Sequence, residues 1–272
     1  MKYSYINLET AADRRRFVEE NFRSNSHSEK TITRVEAVDV AHVISTNVPG
    51  PIRPTEKACY LSHLKALQAA KAFSDDIFIA EDDVLFCEDS TKIIEGTVAG
   101  LTAQDWDIVF SDVCIPDIHT MVDLFLARRQ LAAAKQIQLY RLSELPFAGA
   151  TAYVVNNESK DKLLGLLSGP ALDAPYDLAL RQLVYDKKIT ALVTFPFATS
   201  LSDFAENTQI QPENSLVTDL VWNAFRRLVW RGRDLNTVSD AIGRIDAGFY
   251  DRDAEVFSRI LNALLSSNLK IK

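Results

Sequence analysis

Cysteine is scarce in this chain: Cys59, Cys87 and Cys114 are the three among 272 residues. They are too few and too scattered for a disulfide framework, and no CxxC pair is present to hold structural zinc. A reducing, cytoplasmic compartment is the expectation. Basic charge is also short. With 30 Lys and Arg against 37 Asp and Glu, the formal net charge is −7, which excludes a general electrostatic grip on nucleic acid. Long apolar runs are missing as well: nothing approaches the roughly 18 residues that a membrane-crossing helix needs. The start, MKYSYINLETAADRRR, turns charged too soon for a signal peptide and reads as the first strand of a fold. Repeats and low-complexity tracts are absent. What remains is an ordinary globular composition, 47% hydrophobic and 25% charged, in a chain long enough to bury a large core.

Periodicity sets out an α/β order. Residues 3–8 are β-branched and aromatic, and 11–22 have helical spacing. A second strand is expected over 31–37. Three prolines and a glycine make 47–54 a loop. Residues 55–73 read as a long helix with Thr55 as its N-cap. The apolar run 77–80 then ends abruptly in Glu81-Asp82-Asp83, and 107–112 repeats the plan by delivering Asp112 to the end of an apolar run. Strands over 150–155 and 189–195 and helices over 159–167 and 175–185 follow, the last with Asp177 near its start. This alternation implies a mostly parallel sheet with ligands beyond the carboxyl ends of its strands. From about residue 213 the pattern becomes purely helical. A boundary near 210 is expected, giving a domain over 1–210 and a helical extension over 211–272.

The sharpest chemical signal is IFIAEDDV at 77–84. Side chains alternate along a strand, so Glu81 and Asp83 are expected on one side and Asp82 on the other. Two carboxylates together suit a hard cation, Mg²⁺ or Mn²⁺, shared with phosphates. The plain alternative is a solvated acidic turn, although close like charges need a cation or a partner. Asn7 ends the first strand and Arg14, Arg15 and Arg16 follow, a place where a diphosphate could dock. Exposed arginines on an amphipathic helix are the alternative. Ser62 and His63 are adjacent in a helix, so they point apart and do not form a hydrolase pair. The basic, aromatic run 221–233 could lie on an anionic membrane or a partner, or pack inward with a basic edge.

In order, YINLETAADRR, VEAVD, EKACYLSHLKAL, IFIAEDDV, DWDIVFSD, GATAYVV and PYDLAL resemble glycosyltransferase family 25, which includes bacterial lipooligosaccharide galactosyltransferases and collagen galactosyltransferases. The likeness runs over about residues 3–200 and departs at Ala58, where glycine is expected. It implies a GT-A type fold and a UDP-hexose donor, with galactose the first candidate, transferred with inversion to a saccharide acceptor. A lipid-linked acceptor, as in lipopolysaccharide biosynthesis, fits a cytoplasmic enzyme peripheral at the inner membrane face. By the same resemblance, Asp83 is the first metal ligand, with Glu81 a second ligand or nearer the ribose. Asn7 with Arg14 or Arg15 contacts the nucleotide or its phosphates, and Ser62 and His63 shape the donor site. Asp177 is the expected base, with Asp112 the alternative or a contact to sugar or metal. Two other classes remain open on the residues alone: a metal-dependent phosphoester hydrolase, and a silent scaffold working through its C-terminal helices.

Overall fold

Short apolar strands and amphipathic helices build a seven-stranded sheet in the computed structural model of the chain, which describes residues 1–26, 30–206, 216–243 and 251–266. The strands are β1 (Lys2–Asn7), β2 (Ile32–Glu36), β3 (Ile77–Glu81), β4 (Val84–Phe86), β5 (Ile108–Phe110), β6 (Gln138–Arg141), β7 (Ala152–Val155), β8 (Ala191–Phe195) and β9 (Thr199–Leu201). The order in the main sheet is β2-β1-β3-β7-β5-β8-β6, while β4 and β9 pair separately. The expected α/β class with a mostly parallel sheet is the one observed. β2, β1, β3, β5 and β8 share a direction, and β7 and β6 run against them.

The reversal of β7 matters for the site. Because it pairs antiparallel with β3 and β5, its amino end lies at the edge where those two strands finish. There the Glu81 N–H donates to the Thr151 carbonyl at 2.7 Å.

Helices cover both faces: α1 (Ala12–Asn25), α2 (Val40–Ser45), α3 (Pro54–Ala70), α4 (Ser90–Ala99), α5 (Ile118–Ala134), α6 (Lys160–Leu167) and α7 (Tyr176–Tyr185). Strand β3 shows why the sheet must be sandwiched. Ile77 and Ile79 pack into the core under α3, α6 and α7, while Phe78 and Ala80 pack into the core under α1 and α4. Both sets are buried, and each large apolar side chain so placed contributes about 1.5–3 kcal/mol. Helix α3 begins one residue before the expected Thr55 cap. Pro54 fits the first turn, where its missing N–H costs nothing, and the Glu56 carboxylate reaches back to the Arg53 N–H at 2.9 Å.

The expected boundary near residue 210 lies outside the described residues. Beyond it come α8 (Leu216–Val229), α9 (Leu235–Gly243) and α10 (Arg252–Leu265). Arg227 ties α8 to the body by donating to the Leu201 and Ser202 carbonyls at 3.1 and 3.0 Å and to Glu206 at 2.9 Å. This corrects the membrane-facing reading of the basic run at two positions. Arg226 and Arg227 are each 4% exposed, Arg226 drawn inward by the buried Asp112 carboxylate and Arg227 by the Leu201 and Ser202 carbonyls and Glu206. Arg231 pairs with Asp89 at 3.2 Å. No helix among the described residues is long and apolar enough to cross a membrane.

Candidate functional site

A cavity of about 470 Å³ opens at the sheet edge where β1 and β3 end and β7 begins. Its floor is made by the acids that terminate β3. Strand geometry stops at Glu81, and Asp82 and Asp83 lie in a turn, so all three acids line the cavity. The expected alternation therefore fails after Glu81, and Asp82 shares the cavity with its neighbours. Asp82 is the best-partnered of the three: it accepts from Asn7 Nδ2 at 2.7 Å and from Arg14 Nη1 at 2.8 Å.

Asp83 is starved by comparison. Its Oδ1 is buried without a hydrogen-bond partner among the described residues, and Arg14 stands 3.9 Å from Oδ2. Burial, then the charges of Glu81 and Asp82, push its carboxyl up to about 7. A buried oxygen with spare lone pairs, crowded by like charge, is the environment a hard divalent cation relieves. The donor set thus fits Mg²⁺ or Mn²⁺, with Asp83 and Glu81 as the residues that would hold it.

Around this floor stand side chains from four elements. Asn7 closes β1, with Oδ1 accepting from Arg34 at 3.1 Å. Arg14, from the first turns of α1, also donates to the Phe204 carbonyl at 2.6 Å and sits over the Phe204 ring. Ser62 and His63 point apart on α3, as expected. Ser62 donates to the Ala58 carbonyl at 2.7 Å and accepts from the Val38 N–H at 2.8 Å, which fixes a loop on the cavity rim. His63 stacks on Tyr176, ring centroids 4.2 Å apart, and joins Tyr153 to Glu81 through Nδ1 at 2.9 Å and Nε2 at 3.2 Å. Burial alone would raise the Glu81 carboxyl, but the hydrogen bond from His63, with Arg226 and Arg14 nearby, holds it below the usual carboxylate range.

Asp177, in the first turn of α7, faces the cavity from the other side. Its Oδ2 accepts from the Gly149 N–H at 2.9 Å. Gly149 has φ 84°, a left-handed conformation that favours glycine.

The structure thus brings together Asn7, Arg14, Ser62, His63, Glu81, Asp83 and Asp177. It does not bring in two others. Arg15 turns away to donate to the Glu9 carbonyl at 3.0 Å, so of the two arginines Arg14 faces the cavity. Asp112 is 0% exposed and lies outside the lining, paired with Arg226 at 3.0 Å. Burial raises its carboxyl more than Arg226 lowers it. Asp112 therefore sits beneath the cavity wall as the buried partner of Arg226.

Sequence reasoning missed Cys59 and the whole contribution of α8. Asp219, Trp222, Asn223 and Arg226 all line the cavity. Their spacing, i, i+3, i+4 and i+7, is one face of a helix. That stripe was readable, but its aromatic and basic character matches a membrane-surface helix equally well. Arg226 reaches furthest in, donating to Thr151 Oγ1 at 3.0 Å beside its pair with Asp112.

Comparison with known proteins adds the following. No curated protein matches the sequence. Among solved structures, the crystal structure of mouse xyloside xylosyltransferase 1 in its apo form is similar at 12% identity and a TM-score of 0.33, covering 69% of this chain. The chain spans 62% of that structure's length. The family model for glycosyltransferase family 25, described as LPS biosynthesis protein, matches residues 1–179, and so takes in β1, the α3 helix, the Glu81-Asp82-Asp83 turn and Asp177. On that match the chain belongs to glycosyltransferase family 25.

Proposed function

We propose that the chain is an inverting hexosyltransferase of GT-A type that moves a hexose, galactose being the first candidate, from a UDP-sugar to a saccharide acceptor. Surface-glycan assembly, with a lipid-linked acceptor met at the cytoplasmic face of the membrane, is the setting the family implies. The observation that carries the reading is Asp83: a buried, unpartnered carboxylate oxygen on the floor of a 470 Å³ cavity that also holds Arg14 and Asp177.

Bound Mn²⁺ or Mg²⁺ supplies positive charge for the departing diphosphate. The chain's own residues do the rest. Arg14, anchored by Asp82 and the Phe204 carbonyl, presents a fixed guanidinium to the phosphates. Asn7 and the Ser62-held loop close around the nucleotide end of the donor. Asp177 takes the proton from the acceptor hydroxyl as that oxygen attacks the anomeric carbon. Its Oδ2 is engaged by the Gly149 N–H, which orients the carboxylate and leaves Oδ1 for the proton. The α8 stripe completes the wall, with the Trp222 indole offering an apolar platform for a sugar ring and Asn223 beside it offering amide hydrogen bonds. In this reading the unit over 1–210 carries the chemistry and the helical extension over 211–272 contributes that wall.

Isothermal titration with UDP-galactose, with and without Mn²⁺, tests the proposal. Metal-dependent binding is expected in the wild type and in Asp177→Asn, and is expected to be lost in Asp83→Ala. A folded wild type that binds no UDP-sugar with either metal would overturn it.

A further inference from the structure

Cys59 is absorbed by nothing in the mechanism above, yet it lines the same cavity. It lies four residues before His63 on α3, so one helical face carries both side chains. Glu81, the last residue of β3, comes to meet them. The ligand atoms of Cys59, His63 and Glu81 all lie within 4.8 Å of one another. We propose that these three residues form a binding site for a soft divalent transition metal ion of the zinc class, separate in chemistry from the hard-ion site at Asp83 and coupled to it through Glu81.

The ligand set decides the metal class. A thiolate and an imidazole select zinc-like ions, whereas magnesium and manganese favour oxygen ligands. Zinc takes sulfur at about 2.3 Å, imidazole nitrogen at about 2.0–2.1 Å and carboxylate oxygen at about 2.0–2.2 Å. Tetrahedral ligands are then roughly 3.3–3.7 Å apart, so side-chain shifts on the order of 1 Å close the present cluster. Three protein ligands facing a cavity leave the fourth position to water.

Support behind the ligands is already built. The His63 ring is clamped by its stack on Tyr176, the ring planes nearly parallel at 5°, and its Nδ1 is held by the Tyr153 hydroxyl at 2.9 Å. Tyr153 is joined in turn to the Tyr176 hydroxyl at 2.9 Å. Metal-binding histidines commonly use the second ring nitrogen in this way.

Proton accounting follows from these contacts. For a neutral His63 ring without the ion, Nε2–H donates to the Glu81 carboxylate and Nδ1 accepts from the Tyr153 hydroxyl. Binding requires a free Nε2 lone pair, so the ring proton passes to Nδ1 and donates to the Tyr153 oxygen, while the Tyr153 hydroxyl turns to Tyr176. The Cys59 thiol, which burial and the charges of Glu81, Asp177 and Asp83 hold protonated, gives its proton to solvent. The net release is about one proton per ion, since Glu81 is already ionised.

Sharing Glu81 makes the two sites compete: a zinc-class ion withdraws that carboxylate from the donor site. That competition rests on the proposed transferase reading, whereas the ion site itself stands apart from it. The experiment uses the full-length protein and Co²⁺ as a spectroscopic stand-in for zinc, followed by Zn²⁺ titration of UDP-galactose binding in Mn²⁺. Co²⁺ is expected to give a thiolate-to-metal charge-transfer band that disappears in Cys59→Ala and persists in Cys87→Ala. Tyr153→Phe, which keeps the ring but loses the hydroxyl, should weaken Co²⁺ binding by about 10–100-fold. Zn²⁺ should displace UDP-galactose from the wild type and not from Cys59→Ala. A Co²⁺ complex without the thiolate band, or with the band intact in folded Cys59→Ala, overturns the site. A normal band with UDP-galactose binding indifferent to Zn²⁺ overturns the coupling. If UDP-galactose fails to bind even without Zn²⁺, the transferase reading fails while the Co²⁺ spectrum still decides the site.

Discussion

Two aspartates at opposite edges of the same sheet show how differently a fold can treat a buried charge. Asp107 precedes β5 and Asp83 follows β3, and these strands run the same way, so the residues sit at opposite ends of the sheet. Asp107 is saturated. It accepts from Ser159 Oγ at 2.6 Å, from Lys162 Nζ at 2.8 and 2.9 Å and from the Thr190 N–H at 2.7 Å. Burial alone would raise its carboxyl, yet these donors hold it below the usual range. Asp83 has a buried oxygen with no partner, two acids for neighbours and a carboxyl pushed up to about 7. The fold that satisfies one aspartate so fully leaves the other with an open oxygen on the cavity floor, the position the proposed cation would fill.

The contrast is sharpest in activity. Asp83→Ala should cost about 10²–10⁴-fold in kcat/KM for sugar transfer, the scale of losing metal-borne charge stabilisation. Asp107→Ala should leave the activity of the folded fraction unchanged. Steady-state assays with nucleotide release as the readout separate the two, and equal losses in both variants would break the comparison. Asp177→Asn is expected to lose about 10²–10⁴-fold in kcat, the range of a removed general base, with UDP-galactose affinity retained.

In stability the order reverses. Asp107→Ala strands the Thr190 N–H and a lysine and should destabilise by about 2–3 kcal/mol in urea titration, with unchanged m-value. Asp83→Ala removes a crowded charge and should unfold no more easily than the wild type. A loss of stability in Asp83→Ala matching that in Asp107→Ala would mean that Asp83 is an ordinary structural acid.

How much of this was legible in the sequence differs between the two ends. The Glu81-Asp82-Asp83 turn stood out because three acids end an apolar strand, and the helix start at Asp177 stood out by order along the chain. Nothing local marked Asp107, whose partners lie 52 to 83 residues away. The direction of β7 was equally hidden, since a buried strand reads alike in both directions, and it is this reversal that brings Gly149 and Thr151 to the site. Helices α4 and α5 and strand β6 were not anticipated either. In α5 the polar and apolar residues leave little net amphipathic signal, and α4 is short. The i, i+3, i+4, i+7 stripe of α8 was visible, but which surface it faced depended on the carboxylate of Asp112 waiting beneath Arg226.

The smallest expected effect is a pair of opposite pH slopes. Asp107 has a depressed carboxyl, so its contribution to stability is present above the unfolded-state value and is lost as pH falls through the folded one. Asp83 has a raised carboxyl. Its protonated form is favoured by folding, so the contribution is fully present below the ordinary value of 3.8 and is lost as pH rises through about 7. Metal-free protein should therefore lose about 1–3 kcal/mol between pH 5 and 8 through Asp83, and Asp83→Asn should flatten that limb. Asp107→Asn should flatten the acid limb instead. Added Mn²⁺ should restore stability in the wild type above pH 7, because the cation binds the ionised carboxylate, and should do nothing for Asp83→Asn. Parallel slopes in the two variants, followed by urea titration at stepped pH, would show that the unpartnered oxygen of Asp83 carries no special electrostatic load, and the case for a cation at that end of the sheet would go with it.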